Sequence, residues 1–130
     1  MCGIAGSTDA DRETLIALQS RLAHRGPDGK GLWQANPAGR GPGLVHARLA
    51  VIALGPDGAQ PMTSPDGRYV LSYNGEIFNY RALKAELEAA GERFATTSDT
   101  EVLLRLLTQH GTAGLARVNG MFAFALWDRE

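Results

Sequence analysis

The sequence predicts an α+β domain, and three observations carry that reading. Two β-rich runs, GLVHARLAVIAL (43–54) and RYVLSYNGEI (68–77), stand apart from two capped helical runs, YRALKAELEAA (80–90) and SDTEVLLRLLTQHG (98–111). The chain then returns to a period of two in NGMFAFALWD (119–128), where Phe122, Phe124 and Leu126 alternate. Strands and helices that come in separate groups, rather than in strict alternation, belong to the α+β class.

Taken in order, CGIAGS is short, small and apolar and reads as a buried strand that begins beside the terminus. From Asp11 to Ala23, Leu15, Ile16, Leu18 and Leu22 recur at helical spacing, with Ser7, Thr8 and Asp9 as candidate caps ahead of them and HRGPDG as the stop. GKGLWQA is a weaker strand. The second helix takes Asn79 as its cap and Gly91 as a left-handed stop. In the third, Ser98 and Glu101 have the spacing of a capping box, and Gly111 closes the segment. PDG recurs at 27, 56 and 65, where Pro fixes one φ and Gly accepts a tight exit, so it marks turns; GRGPG (39–43) reads as a loop.

At 130 residues the chain has the length of one domain, 1–130. Thirteen basic residues against fourteen acidic ones give a net charge of -1, which offers no broad electrostatic footprint for nucleic acid or an anionic membrane. With 44% apolar and 21% charged residues the composition is that of a globular protein. No apolar run approaches the length of a membrane span, and the start has neither the charge nor the apolar stretch of a signal peptide. A cytoplasmic location is expected, in keeping with a single cysteine that has no partner for a disulfide within the chain.

That cysteine is Cys2, in MCGIAG. Alone, an early cysteine reads more readily as a small buried hydrophobe than as a nucleophile. If Met1 is removed, however, the thiol and a free α-amine share one residue. An α-amine titrates near pH ~7.7–8.0 and a free thiol near ~8.5, so the neutral amine can take the thiol's proton without a histidine. Covalent geometry then supplies the proximity of nucleophile and base. With Met1 retained the amine is an amide and loses that basicity.

MCGIAG, HRGPDGKG, HARLAVIALGPDGAQPM, YNGEIFNYRALKAEL, SDTEVLLRLL and NGMFAFALWD follow one another along essentially the whole chain. In this order and spacing they resemble the class II glutamine amidotransferase domain, with RGPD, AQPM and NGEIFNY most similar to the glutamine-hydrolysing asparagine synthetases. The resemblance implies a four-layer αββα sandwich of the N-terminal nucleophile hydrolase type. It also implies that Cys2 attacks the side-chain amide of L-glutamine to form a γ-glutamyl thioester, releasing ammonia before water releases glutamate. Asn74 and the N–H of Gly75 would form the oxyanion hole, with glycine letting the backbone approach a developing alkoxide. Without the resemblance, Asn-Gly would be a hairpin turn. Arg48 would grip the substrate α-carboxylate, although a lone arginine is more often a surface ion pair. Asp99 would receive the α-ammonium, alongside or instead of a capping role at SDTE. Leu49, Ala50, Val51 and Ile52 would line the pocket largely through backbone, and Glu76 would complete its amino-acid end.

His24, His46 and His110 lie far apart, and no second cysteine or HExxH pattern supports a metal site. His24 and His46 read as hydrogen-bonded structural residues and His110 as a favourable charge at a helix C-terminus. Trp33, Trp127, Phe122 and Phe124 read as core. No cofactor is expected for the glutaminase step; ATP and Mg²⁺ are expected only in a C-terminal synthetase domain that would use the ammonia on aspartate in a longer chain. Ala53 departs from an aspartate that the family commonly carries there. The family domain also continues beyond the equivalent of Glu130, so an incomplete sandwich is expected at that end. Two further readings stand beside the leading one: a non-catalytic remnant or interaction module, and a glutaminase that serves another acceptor.

Overall fold

The computed structural model describes residues 2–51 and 55–130. Ile52 and Ala53, which the sequence reading singled out, lie outside the described residues. Strand β1 (Gly3–Ala10) leads into α1 (Arg12–Arg21), and β2 (Gly29–Gln34) and β3 (Gly41–Arg48) follow. Next come the short β4 (Met62–Thr63), β5 (Tyr69–Ile77), α2 (Tyr80–Ala89), α3 (Asp99–His110) and β6 (Gly120–Asp128). The strands form two three-stranded antiparallel sheets, ordered β1-β3-β2 and β4-β5-β6.

Helix α1 packs on the first sheet, β1 and β3 face β5, and α3 packs on β5 with α2 against it. The layers therefore run helix, sheet, sheet, helices, which is the αββα sandwich the resemblance implied. Most of the apolar burial lies under α2 and α3, where Leu71, Tyr73 and Ile77 of β5 meet Leu83, Leu87 and the buried leucines of α3. A smaller cluster of Ala10, Leu15 and Val45 lies beneath α1. Of the predicted α1 stripe, Leu15 is fully buried and Ile16 is 47% exposed, because a ten-residue helix on a narrow sheet covers little more than one row. Between the sheets the contact is partly polar. Ser72 Oγ donates to the Val45 carbonyl at 3.2 Å, and His46 Nε2 lies 3.1 Å from the Tyr73 carbonyl.

Several boundaries differ from the sequence reading. Ser7, Thr8 and Asp9 belong to β1, and the cap of α1 is Asp11, which accepts from the Thr14 N–H at 2.8 Å. Asn79 holds the cap position of α2, but its amide donates to the Arg117 carbonyl and accepts from the Asn119 N–H, tying α2 to the approach of β6 instead. Half of the expected capping box forms: Ser98 Oγ accepts from the Glu101 N–H, whereas the Glu101 carboxylate accepts from the Ala95 and Thr96 N–H groups. Gly91 (φ 99°) does supply the left-handed stop, and Gly111, also at positive φ (59°), closes α3. Gly41 to Gly43 are part of β3 and not a loop, and β3 ends at Arg48, short of the LAVIAL run. Trp33, Trp127, Phe122 and Phe124 are all only half-buried, and of these the two phenylalanines pack on the α2/α3 core.

Candidate active site

The register that pairs Gly3 with Ala47 places Cys2 opposite the end of β3. There its Sγ accepts from the Leu49 N–H at 3.3 Å and donates to the Leu49 carbonyl at 3.5 Å. The backbone of one residue thus holds the sulfur from both sides. The HRGPD segment fixes the same corner. Arg25 Nε donates to the Cys2 carbonyl at 3.0 Å, the Asp28 N–H donates to the Arg48 carbonyl at 2.9 Å, and the Asp28 carboxylate accepts from the Ala50 N–H at 2.8 Å. A Cβ on Gly26 would lie 2.4 Å from the backbone of Ala47, so only glycine lets this segment lie against β3.

Opposite this corner stand β5 and the start of α3. A cavity of about 210 Å³ opens where the three meet, bordered by Cys2, Arg48, Leu49 and Val51 on one side and by Tyr73 to Glu76 and Ser98 to Thr100 on the other. Arg48 reaches it with its guanidinium held by the Gly55 carbonyl, to which Nη1 donates at 2.8 Å. Asp99 is 5% exposed in the first turn of α3, where the helix dipole favours an anion. Its Oδ2 accepts from the Tyr73 hydroxyl at 2.8 Å and from the Ile77 N–H at 3.2 Å. Burial, reinforced by the Asp99 charge, pushes the Tyr73 phenol far above its usual pKa and keeps its proton in place as a donor.

Of the residues anticipated from sequence, Cys2, Arg48, Leu49, Val51, Asn74, Gly75, Glu76 and Asp99 all border the cavity. Ala50 is not among the bordering residues, since its backbone is engaged by Asp28. Gly75 has a packing reason to be glycine besides the chemical one anticipated: a Cβ there would lie 2.4 Å from the Met121 carbonyl oxygen and 2.6 Å from Phe122. Close approach of β6 excludes a side chain. The sequence reading missed Gln60, Tyr73, Thr100 and Met121 as cavity residues. Gln60 was signalled by the AQPM block; it accepts from the Tyr73 N–H at 2.6 Å and donates to Thr100 Oγ1 at 3.2 Å, bridging β5 and α3.

The histidines divide. His46 is buried, and desolvation lowers its pKa to about 4, so the neutral ring donates from Nε2 to the Tyr73 carbonyl. His24 is exposed, contrary to the structural role expected of it, because the turn that carries it projects from the end of α1. His110 sits in the last turn of α3 as anticipated. Among the described residues no group of three His, Cys, Asp or Glu side chains could hold a metal ion.

An αββα sandwich whose first strand is headed by a cysteine at the cavity is the arrangement of the N-terminal nucleophile hydrolases. Among solved structures the chain superposes on the glutamine phosphoribosylpyrophosphate amidotransferase of Bacillus subtilis with a TM-score of 0.72 and 26% identity, over 98% of this chain and 34% of that one. The chain belongs to the glutamine amidotransferase domain family, whose model matches residues 1–130. It is 41% identical to asparagine synthetase B [glutamine-hydrolyzing] of Escherichia coli and 38% identical to asparagine synthetase [glutamine-hydrolyzing] 1 of Bacillus subtilis, in both cases over its whole length. A putative asparagine synthetase of Mycobacterium tuberculosis is 45% identical over 97% of the chain. The chain spans 24%, 21% and 20% of these three relatives, respectively.

Proposed function

We propose that this chain is the glutaminase part of an asparagine synthetase-like enzyme, hydrolysing L-glutamine to glutamate and ammonia through a thioester on Cys2. The observation that carries the reading is the meeting of Cys2, the Asn74–Gly75 pair, Arg48 and Asp99 around one cavity. With Met1 removed, the Cys2 α-amine takes the thiol proton, and Sγ attacks the side-chain amide carbon of glutamine. The carbonyl oxygen becomes an oxyanion facing the Asn74 amide and the Gly75 N–H. As the C–N bond breaks, the α-ammonium returns its proton to the leaving nitrogen and ammonia departs. Water then adds to the thioester carbonyl with the amine again as base, the C–S bond breaks, and glutamate leaves with the thiol restored. Arg48 takes the substrate α-carboxylate and Asp99 its α-ammonium, with Glu76 and the backbone of Leu49 and Val51 beside them.

The similarity to asparagine synthetases over the whole chain favours aspartate as the eventual ammonia acceptor, amidated by a C-terminal synthetase domain that would bind ATP and Mg²⁺. The relatives' greater length leaves room for such a domain. The glutaminase step itself needs no cofactor. A lone thiol with no disulfide partner suits a reducing compartment, which supports a cytoplasmic enzyme; among the described residues no helix is long and apolar enough to cross a membrane. Glutamate release from L-glutamine by the processed chain tests the proposal, with an intact-mass measurement to confirm the loss of Met1. Release that persists in Cys2→Ala, or in material that keeps Met1, would refute it.

A further inference from the structure

The hydrogen bonds of Asp99 are distributed unevenly. Both the Tyr73 hydroxyl (2.8 Å) and the Ile77 N–H (3.2 Å) reach Oδ2, which leaves Oδ1 outside this pair of bonds on a side chain that borders the cavity. A carboxylate 5% exposed is costly unless its oxygens are paired, and its rotamer decides where the unoccupied acceptor points. Of the two donors, the Ile77 amide is fixed by the β5 backbone, whereas Tyr73 reaches Asp99 with the far end of its side chain. Tyr73 is itself held firmly: it is 2% exposed, its N–H donates to Gln60 at 2.6 Å, and its carbonyl faces His46 at 3.1 Å. A phenol so fixed delivers one charge-assisted hydrogen bond from a set direction.

We infer that Tyr73 is a positioning residue that turns Oδ1 of Asp99 toward the cavity and so sets the site's preference for a substrate carrying an α-ammonium group. The inference rests on the glutaminase reading, in which Asp99 receives that ammonium. A substrate without it would leave a desolvated carboxylate oxygen without a donor, which is how a buried polar group discriminates strongly between otherwise similar ligands. Tyr73 touches neither the sulfur nor the amide being cleaved in this scheme, so its effect belongs in binding and selectivity and not in the chemical step.

The test compares L-glutamine with 4-carbamoylbutyrate, the same molecule lacking the α-amine, in the processed chain and its Tyr73→Phe, Tyr73→Leu and Asp99→Asn variants. For Tyr73→Phe the KM for glutamine should rise about tenfold with kcat unchanged, as expected for one hydrogen bond to a charged group. KM for 4-carbamoylbutyrate should stay put, so the discrimination ratio falls about tenfold. Tyr73→Leu, which also loses ring packing, should show the same fall in ratio together with a lower melting temperature, separating selectivity from stability. A chain that binds without turnover gives the same ratio from dissociation constants. If Asp99→Asn collapses the ratio while both Tyr73 variants keep it, or if Tyr73→Phe weakens both ligands equally, the role of Tyr73 is overturned and the glutaminase reading stands. If Asp99→Asn leaves the ratio unchanged, or the unmodified chain binds neither molecule, the glutaminase reading fails at its substrate end and this inference falls with it.

Discussion

Leu49 holds the Cys2 sulfur with the two ends of its own backbone, an arrangement invisible in a sequence where the two residues are far apart. What could be read was the residue set: Cys2, Arg48, Asn74, Gly75, Glu76 and Asp99 sit in contiguous motifs, and all of them reach the cavity. Gln60, Thr100 and Met121 were not read because each contributes by where the fold brings it; Gln60 lies in the AQPM block, but the block alone gives it no place at the cavity. At this scale, Cys2→Ala should abolish glutamate release while leaving the circular dichroism spectrum unchanged. Asn74→Ala, which takes one donor from the proposed oxyanion hole, should lower kcat by about 10²–10³-fold with a smaller change in KM, measurable in a steady-state glutamate assay.

Elements were legible wherever periodicity and capping agreed. Helix α3 runs between Ser98 and Gly111 as its cap and stop signals predict, since its buried leucines and its terminal residues point to the same boundaries. The cap of α1 was misread because Ser, Thr and Asp are equally at home in a β-strand facing solvent, and only the structure shows that Asp11 makes the capping bond. Ser98→Ala should cost about 1 kcal/mol of stability, seen as a lower urea midpoint, because the Glu101 N–H loses its acceptor. A larger loss, roughly 1–3 kcal/mol, is expected for Gly75→Ala, where the new methyl meets the backbone of β6 and neither strand can yield without breaking their ladder. The glycine in Asn-Gly was foreseen for the chemistry; its demand on strand packing depends on a partner 46 positions further on, Met121.

In the molecule as a whole, the layering followed from the resemblance, whereas the polar contact between the sheets could not be foreseen. His46 is confined there as a neutral donor, with a pKa lowered from 6.5 to about 4 by desolvation. The unfolded chain therefore takes up a proton first as pH falls. The His46 contribution is intact above pH 6.5, declines between 6.5 and about 4, and is then lost in full, a total of roughly 3 kcal/mol. Melting temperatures recorded across this range should fall more steeply for the parent chain than for His46→Gln, which cannot acquire the charge.

The sulfur is carried by one sheet and the Asn74–Gly75 pair by the other, so nucleophile and acceptor of negative charge share no strand. Their spacing is transmitted through the bonds from Ser72 to Val45 and from His46 to Tyr73, which act as dowels against sliding of the two slabs. Lateral shear of the sandwich, even without unfolding, would misalign attack, and the machinery's tolerance is set by a seam in which neither reacting group takes part.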